Sequence, residues 1–509
     1  METMTTSANL FDLFDKAVTD RTRLLIETPD GRRLTYGDLA ALSARLAHAL
    51  VARGVVPGDR VAVQVEKSVE AVALYLACLR ASAVYLPLNT AYTLAELAYF
   101  IEDAEPKVIV CDPARSEAVA ALAARQRATV ETLDATGAGS LIDLADGRAT
   151  AFATVHCWPG DLAAILYTSG TTGRPKGAML SHENLAANAR TLVEVWRFTS
   201  RDVLLHALPI YHTHGLFVAI NTVLLSGGSM VVLPKFDTGE IFRLLPRATV
   251  LMGVSTFYTR LLADPRLTHS AAAHMRLFIS GSAPLLAETH REFAERTGKA
   301  ILERYGMTET GMLTSNPYDG DRIAGTVGFP LPGVDLRIAE PETGTLLAQG
   351  EIGVIEVKGP NVFSGYWRMP EKTAAEFRPE GFFITGDMGS VDERGFVAIV
   401  GRARDLIITG GLNVYPKEVE GEIDALTGVA ESAVIGLPHP DFGEAVAAVV
   451  VPAAADATSE EAILAALKDR LAGFKLPRRV VFVEELPRNT MGKVQKNALR
   501  DRYAKLLSG

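Results

Sequence analysis

Between about residue 34 and residue 111, short apolar runs alternate with capped, helix-periodic segments. No other feature limits the fold as much. The runs are RVAVQV (60–65) and KVIVCD (107–112), and the helices between them open on Thr35 and Thr93. Each of these threonines is followed three residues later by a carboxylate, Asp38 or Glu96. At that spacing the hydroxyl accepts from a backbone N–H of the first turn and the carboxylate accepts from the cap's own N–H. Strands that run apolar without alternation are buried on both faces, so the pattern predicts mainly parallel sheets covered by helices. It returns through 200–310, where ATVLMGV and MRLFISG read as strands.

A chain of 509 residues outgrows a single core, so more than one domain is expected. Beyond about 325, GTVGFPLPGVDLRIAE, GEIGVIEVKG and GFVAIVGR read as strands separated by Gly and Pro turns, a small β-barrel-like part of the large domain. From 402 onward the pattern is α+β. Its strands are LIIT, ESAVIGL, AVAAVVV and RRVVFVE, and its helices lie near 416–425 and 459–472. The expected division is a large α/β domain over 1–401 and a small α+β domain over 402–509.

Composition excludes several classes. A formal net charge of −9 argues against nucleic acid or an anionic membrane as the main partner. The three cysteines are odd in number and form no CxxC pair, which fits a reducing compartment and no structural zinc. The N-terminus lacks a basic region followed by an apolar core, and no apolar run approaches the roughly 20 residues that span a bilayer. A cytoplasmic enzyme of small molecules is expected, with no obligate protein partner inferred.

The stretch LYTSGTTGRPKGAML (166–180) carries hydroxyls, three glycines and one lysine. Glycine lets backbone N–H groups turn inward, so Ser169, Gly170, Thr171, Thr172 and Gly173 with Lys176 suit a polyphosphate. It is not a Walker A loop, because Pro175 precedes the lysine and Gly177 follows it. By itself the stretch fits a phosphate cradle or a plain surface hairpin equally.

Four later stretches decide between these: ERYGMTET (303–310), FFITGD (382–387), GRARD (401–405) and PRNTMGKVQK (487–496). In this order and spacing they resemble the acyl-adenylate-forming superfamily, which includes acyl-CoA synthetases, luciferases and peptide-synthetase adenylation domains. The resemblance covers nearly the whole chain and implies ATP, Mg²⁺ and CoA. It places the β- and γ-phosphates of ATP on the first loop. Ser282, Ala283 and Pro284, with Glu303, Arg304, Tyr305, Gly306, Met307 and Thr308, then frame the adenine and α-phosphate. Thr168 and Glu309 hold the metal, and Asp387 and Arg402 hold the ribose. Lys493, Glu309 and His212 are the catalytic candidates.

Lys493 suits that role, because carboxylate attack on the α-phosphorus builds negative charge that an ammonium stabilises. Asp405 matches the family's hinge, about which the small domain swings to admit the thiol. Arg404, Gly410, Gly411, Leu412, Lys417 and Lys475 are the CoA candidates.

The acid pocket is expected near LPIYHTHGLF (208–217), MGVSTFY (252–258) and RYGMTETGM (304–312), so His212, Thr213, His214, Ser255, Arg304 and Met312 are its candidates. Many relatives have a small residue where this chain has Arg304, and a guanidinium there can clamp a second carboxylate. Two other uses of these residues are an ion pair of Arg304 with Glu303 or Asp319 and a metal site at His212 and His214. ALPIYHTHGLFVA, ERYGMTET and ITGGLNVYPKEVE resemble the corresponding stretches of malonyl-CoA synthetases. The implied reaction is malonate, ATP and CoA to malonyl-CoA, AMP and pyrophosphate, through an acyl adenylate. Alternatives are methylmalonate or another short acid, or loading of a separate carrier protein.

Overall fold

The computed structural model describes residues 6–168, 175–409, 412–439, 442–454, 457–468, 470–489 and 492–507. Both expected capping boxes form, at Thr35 with Asp38 and at Thr93 with Glu96. The strands Arg60–Gln64 and Val108–Cys111 pair in parallel within a six-stranded sheet. A second sheet of nine strands contains Val203–His206, Val250–Gly253, Leu277–Ser280 and Leu302–Met307. Helix Val69–Arg80 is buried on every face and shares one apolar core with residues of both sheets.

The segment expected to be barrel-like is an open antiparallel sheet of four strands: Asp335–Ala339, Gly353–Lys358, Phe383–Val391 and Val397–Arg402. Four strands cannot tilt and stagger enough to close on a filled interior; small barrels take about eight. Instead the sheet lays Ile338, Ile355, Val357, Phe383 and Val397 onto the main core.

A separate apolar core begins at Ile407 and includes Val419, Ile423, Val434, Val446, Ile463 and Val480. Its sheet pairs the long antiparallel strands Val429–His439 and Gly443–Pro452, with Arg479–Phe482 added in parallel. Helices Pro416–Asp424 and Glu460–Leu467 occupy the expected positions. The sequence pattern missed helix Lys496–Tyr503, whose face is mostly charged and which buries Leu499. Among the described residues no helix is long and apolar enough to cross a membrane.

Candidate active site

The Gly-rich stretch joins two antiparallel strands, Leu162–Thr168 and Lys176–Ser181, with Thr168 opposite Lys176 in register. Residues 169–173, the expected phosphate cradle, lie outside the described residues. Their flanks are fixed. Lys176 is buried, its ammonium 3.0 Å from Glu376 Oε1 and 4.1 Å above the Tyr366 ring. The Tyr366 hydroxyl, with one proton to donate, lies 2.6 Å from Glu376 Oε2 and 3.1 Å from Glu309 Oε1. Glu309 also lies 3.4 Å from the Thr168 hydroxyl. Burial raises the Glu309 pKa, and the Tyr366 bond and the charges of Lys176 and Arg402 oppose the rise. Two oxygens of this kind suit Mg²⁺, which prefers hard ligands and takes the rest of its shell from phosphates and water. Tyr366 and Glu376, which hold Lys176, carried no motif that sequence reasoning could use.

ERYGMTET is a hairpin. Strand Leu302–Met307 turns through Thr308–Thr310 into Gly311–Ser315. Tyr305 donates to Asp387 Oδ2 at 2.6 Å, and Arg402 Nε meets Asp387 Oδ1 at 2.8 Å from the adjacent strand. The Asp387 carboxylate is therefore oriented from both sides. Asp387 is the first cause of the raised Arg402 pKa.

Of the acid-pocket candidates, His212 and His214 lie within reach of the Arg304 charge. Arg304 is 3% exposed, and its Nε and Nη2 atoms are buried without a hydrogen-bond partner. Among the described residues it forms no ion pair, and Asp319 is taken by Arg197 instead. Burial pushes the Arg304 pKa down, yet a guanidinium stays protonated at neutral pH. His212 Nδ1, Thr213 Oγ1 and His214 Nε2 are likewise buried and unpartnered. Burial first, then the charges of Arg304 and Lys493, depress the His212 pKa to about 4. Burial and Arg304 push His214 well below its usual range. Both rings are thus neutral at pH 7. Among the described residues no group of three or more His, Cys, Asp or Glu could hold a metal.

Further features surround these residues, and of them the sequence reading missed the π-helix and Asn188 but named Ser282 and Ser255. Residues His214–Ile220 form one π-helical segment, a geometry common at functional sites. Ser282 has a left-handed φ of 71°, and its hydroxyl lies 3.2 Å from His214 Nδ1. Strain of that kind in a non-glycine residue persists only where the surroundings enforce it. Asn188 brackets Met312 through both its N–H (3.1 Å) and its carbonyl (3.0 Å). Ser255 is buried at the start of helix Ser255–Leu262.

Gly281 leaves room for the arginine, because a Cβ there would sit 2.3 Å from the Arg304 guanidinium carbon. Gly281→Ala is therefore expected to push the guanidinium aside, costing about 1–3 kcal/mol in kcat/KM for the acid, as overpacking does. Steady-state kinetics with acid and ATP varied separately check this; an unchanged acid kcat/KM is the contrary result.

From the C-terminal part, Gly492 has a φ of 74°, and a Cβ on it would lie 3.1 Å from Thr256. The next residue, Lys493, is close enough for its charge to act on His212. Lys493 N donates to Asn489 Oδ1 at 3.0 Å, which shapes the turn.

The CoA candidates are less assembled. Lys417 lies beside Glu303, whose carboxyl burial lifts to about 8 against the pull of that lysine. Lys475 is 2.5 Å from Glu418, and Leu412 is exposed. Gly410, Gly411 and the Arg404 side chain lie outside the described residues. Asp405 Oδ1 receives Arg500 at 2.6 Å.

The chain is similar to known proteins over most of its length. The model of the AMP-binding enzyme family matches residues 14–367, and that of the AMP-binding enzyme C-terminal domain matches 418–493. Crystal structures of MatB from Rhodopseudomonas palustris superpose over 99% of this chain and 100% of theirs. The ATP-bound form gives a TM-score of 0.97 at 64% identity and the apo form 0.87 at 63%. A feruloyl-CoA synthase of Amycolatopsis sp is 38% identical over 93% of this chain and 94% of its own. A malonate–CoA ligase of Arabidopsis thaliana is 34% identical over 97% and 89%. The family model spans well over half of the chain, which therefore belongs to the AMP-binding enzyme family.

Proposed function

We propose that the protein is an ATP-dependent malonate–CoA ligase. One observation carries the choice of acid: the Arg304 guanidinium is buried without a carboxylate partner, among unpartnered polar atoms of His212, Thr213 and His214. A buried cation without a counter-ion is costly, and a ligand carboxylate offsets that cost. The likeness to the Arabidopsis malonate–CoA ligase supports the same reading.

In the first step one malonate carboxylate is held by Arg304. The other attacks the α-phosphorus of ATP, forming the acyl–phosphate bond as the bond to pyrophosphate breaks. Lys493 faces the charge that develops there, and neutral His212 and His214 offer ring nitrogens without adding a proton-bearing charge. Thr168 and Glu309 would hold Mg²⁺, which supplies neutralisation of the phosphate oxygens. Asp387 holds the ribose, oriented by Tyr305 and Arg402. In the second step the CoA thiolate attacks the acyl carbonyl and AMP leaves.

Between the steps the segment from 402 turns about Asp405 while residues 1–401 stay as the platform. Two features support that division: the separate apolar core from Ile407, and the contact that Gly492 makes with Thr256, which a turn would release. The lower superposition on apo than on ATP-bound MatB also fits a chain with two shapes. Small-molecule substrates of this kind suit an enzyme of the cytoplasm.

Acid-dependent ATP–pyrophosphate exchange with malonate, methylmalonate, succinate, acetate and ferulate tests the proposal. Malonate should give the highest kcat/KM, with methylmalonate slower, since one methyl is worth about 1–3 kcal/mol. Faster exchange with acetate or ferulate than with malonate would overturn the assignment.

A further inference from the structure

Lys67 stands outside every motif, in the turn between strand Arg60–Gln64 and helix Val69–Arg80. It is only 7% exposed and forms no ion pair among the described residues. Its ammonium reaches across to the end of strand Val203–His206. There it donates to the carbonyls of Leu208 at 2.8 Å and His206 at 3.2 Å, and lies 3.3 Å from His206 Nδ1. The other ring nitrogen, Nε2, lies 2.8 Å from the carbonyl of Gly215.

A carbonyl can only accept, so Nε2 carries the proton and Nδ1 accepts from the lysine. Burial, with the adjacent ammonium, holds the His206 pKa near 3, so the ring stays in this neutral tautomer. Gly215 is the second residue of the π-helical segment that starts at His214. It leaves no slack, because a Cβ on Gly215 would sit 2.0 Å from the Pro209 carbonyl. One buried lysine therefore fixes both ends of the ten residues 206–215, HALPIYHTHG, which carry His212, Thr213 and His214.

We infer that Lys67 is a positioning residue of the acid site, setting through His206 and the Leu208 carbonyl the height of the loop that presents His212, Thr213 and His214 to the substrate. The inference rests on the malonate reading only for the identity of the acid. A buried lysine placed for stability alone would be expected to pair with a carboxylate. Here every acceptor belongs to the loop or to the histidine that carries its far end. Among the described residues, Lys176 pairs with Glu376 and Arg402 with Asp387, and neither pair includes any of these atoms.

The test compares Lys67→Met, Lys67→Gln, His206→Phe and the double variant Lys67→Met/His206→Phe in pyrophosphate exchange, varying malonate and ATP separately. Each of Lys67→Met and His206→Phe should lower kcat/KM for malonate roughly 10- to 100-fold, the scale of a small displacement of a reacting group. KM for ATP should stay close to the wild-type value. Lys67→Gln, which keeps a donor, should recover part of the loss. The double variant should be no worse than the poorer single one, because the two residues act in series. Losses that multiply in the double variant, a matching rise in KM for ATP, or wild-type malonate kinetics in either single variant would each overturn the inference. Should Lys67→Met not fold, Lys67→Gln and His206→Phe decide it by the same split. Absence of malonate exchange in the wild-type enzyme instead marks failure of the malonate reading. The acid that does exchange then replaces malonate in the same comparison.

Discussion

Lys493→Ala is expected to slow malonate-dependent pyrophosphate exchange roughly 100- to 1,000-fold, on the order of 3–4 kcal/mol, the usual loss for one donor aimed at developing charge. Thioester formation from supplied malonyl-AMP and CoA should be nearly unaffected. The lysine follows a glycine packed against Thr256, and its charge reaches His212 on the pocket wall. On the proposed reading it serves the step in which carboxylate and phosphate, both negative, approach each other. Once the adenylate exists that charge is spent, and the second step asks nothing of Lys493. Equal loss in both half-reactions would remove it from the first step and make it a general support of the fold.

Arg304→Ala is the second large effect. Removing one partner of a buried charged pair costs about 2–5 kcal/mol, and that loss should appear in kcat/KM for malonate. Acetate, which has no second carboxylate, should lose far less, so the malonate-to-acetate preference should collapse. An unchanged preference would show that the guanidinium does not touch the substrate. Stability should change little, because the loss of a buried guanidinium with two unpartnered nitrogens and no ion pair among the described residues offsets the cavity it leaves. A thermal melt without ligand separates the two effects: the variant should melt close to the wild type, while malonate with ATP should stabilise it less.

Sequence patterns were most informative where chemistry is local. The capping boxes at Thr35 and Thr93 use residues three apart, and both form as read. Asp387 and Arg402 each belong to a recognisable stretch, and the structure sets them opposite each other on adjacent strands. The open four-stranded sheet was harder to foresee, because short strands with Gly and Pro turns look alike whether a sheet closes or lies against a core. Lys67, Asn188, Tyr366 and Glu376 were illegible for another reason. Each acts through a contact more than 50 residues away in the chain, and such a contact leaves no spacing in the sequence. The expected phosphate contacts of 169–173 and the thiol-side roles of Gly410 and Gly411 fall on residues outside those described.

The space between Gly281 and Arg304 has a consequence for how such an enzyme can change its diet. The glycine lacks a side chain where the guanidinium lies, so the two positions share one fixed volume. A single change at 304 empties that volume and leaves a cavity beside the pocket. A single change at 281 overfills it. Only a paired exchange, small for large at 304 and larger at 281, keeps the packing while discarding the charge. If Arg304 clamps the second carboxylate as proposed, selectivity for it depends on two codons that move together, and each single exchange is expected to give a poorer enzyme than the pair.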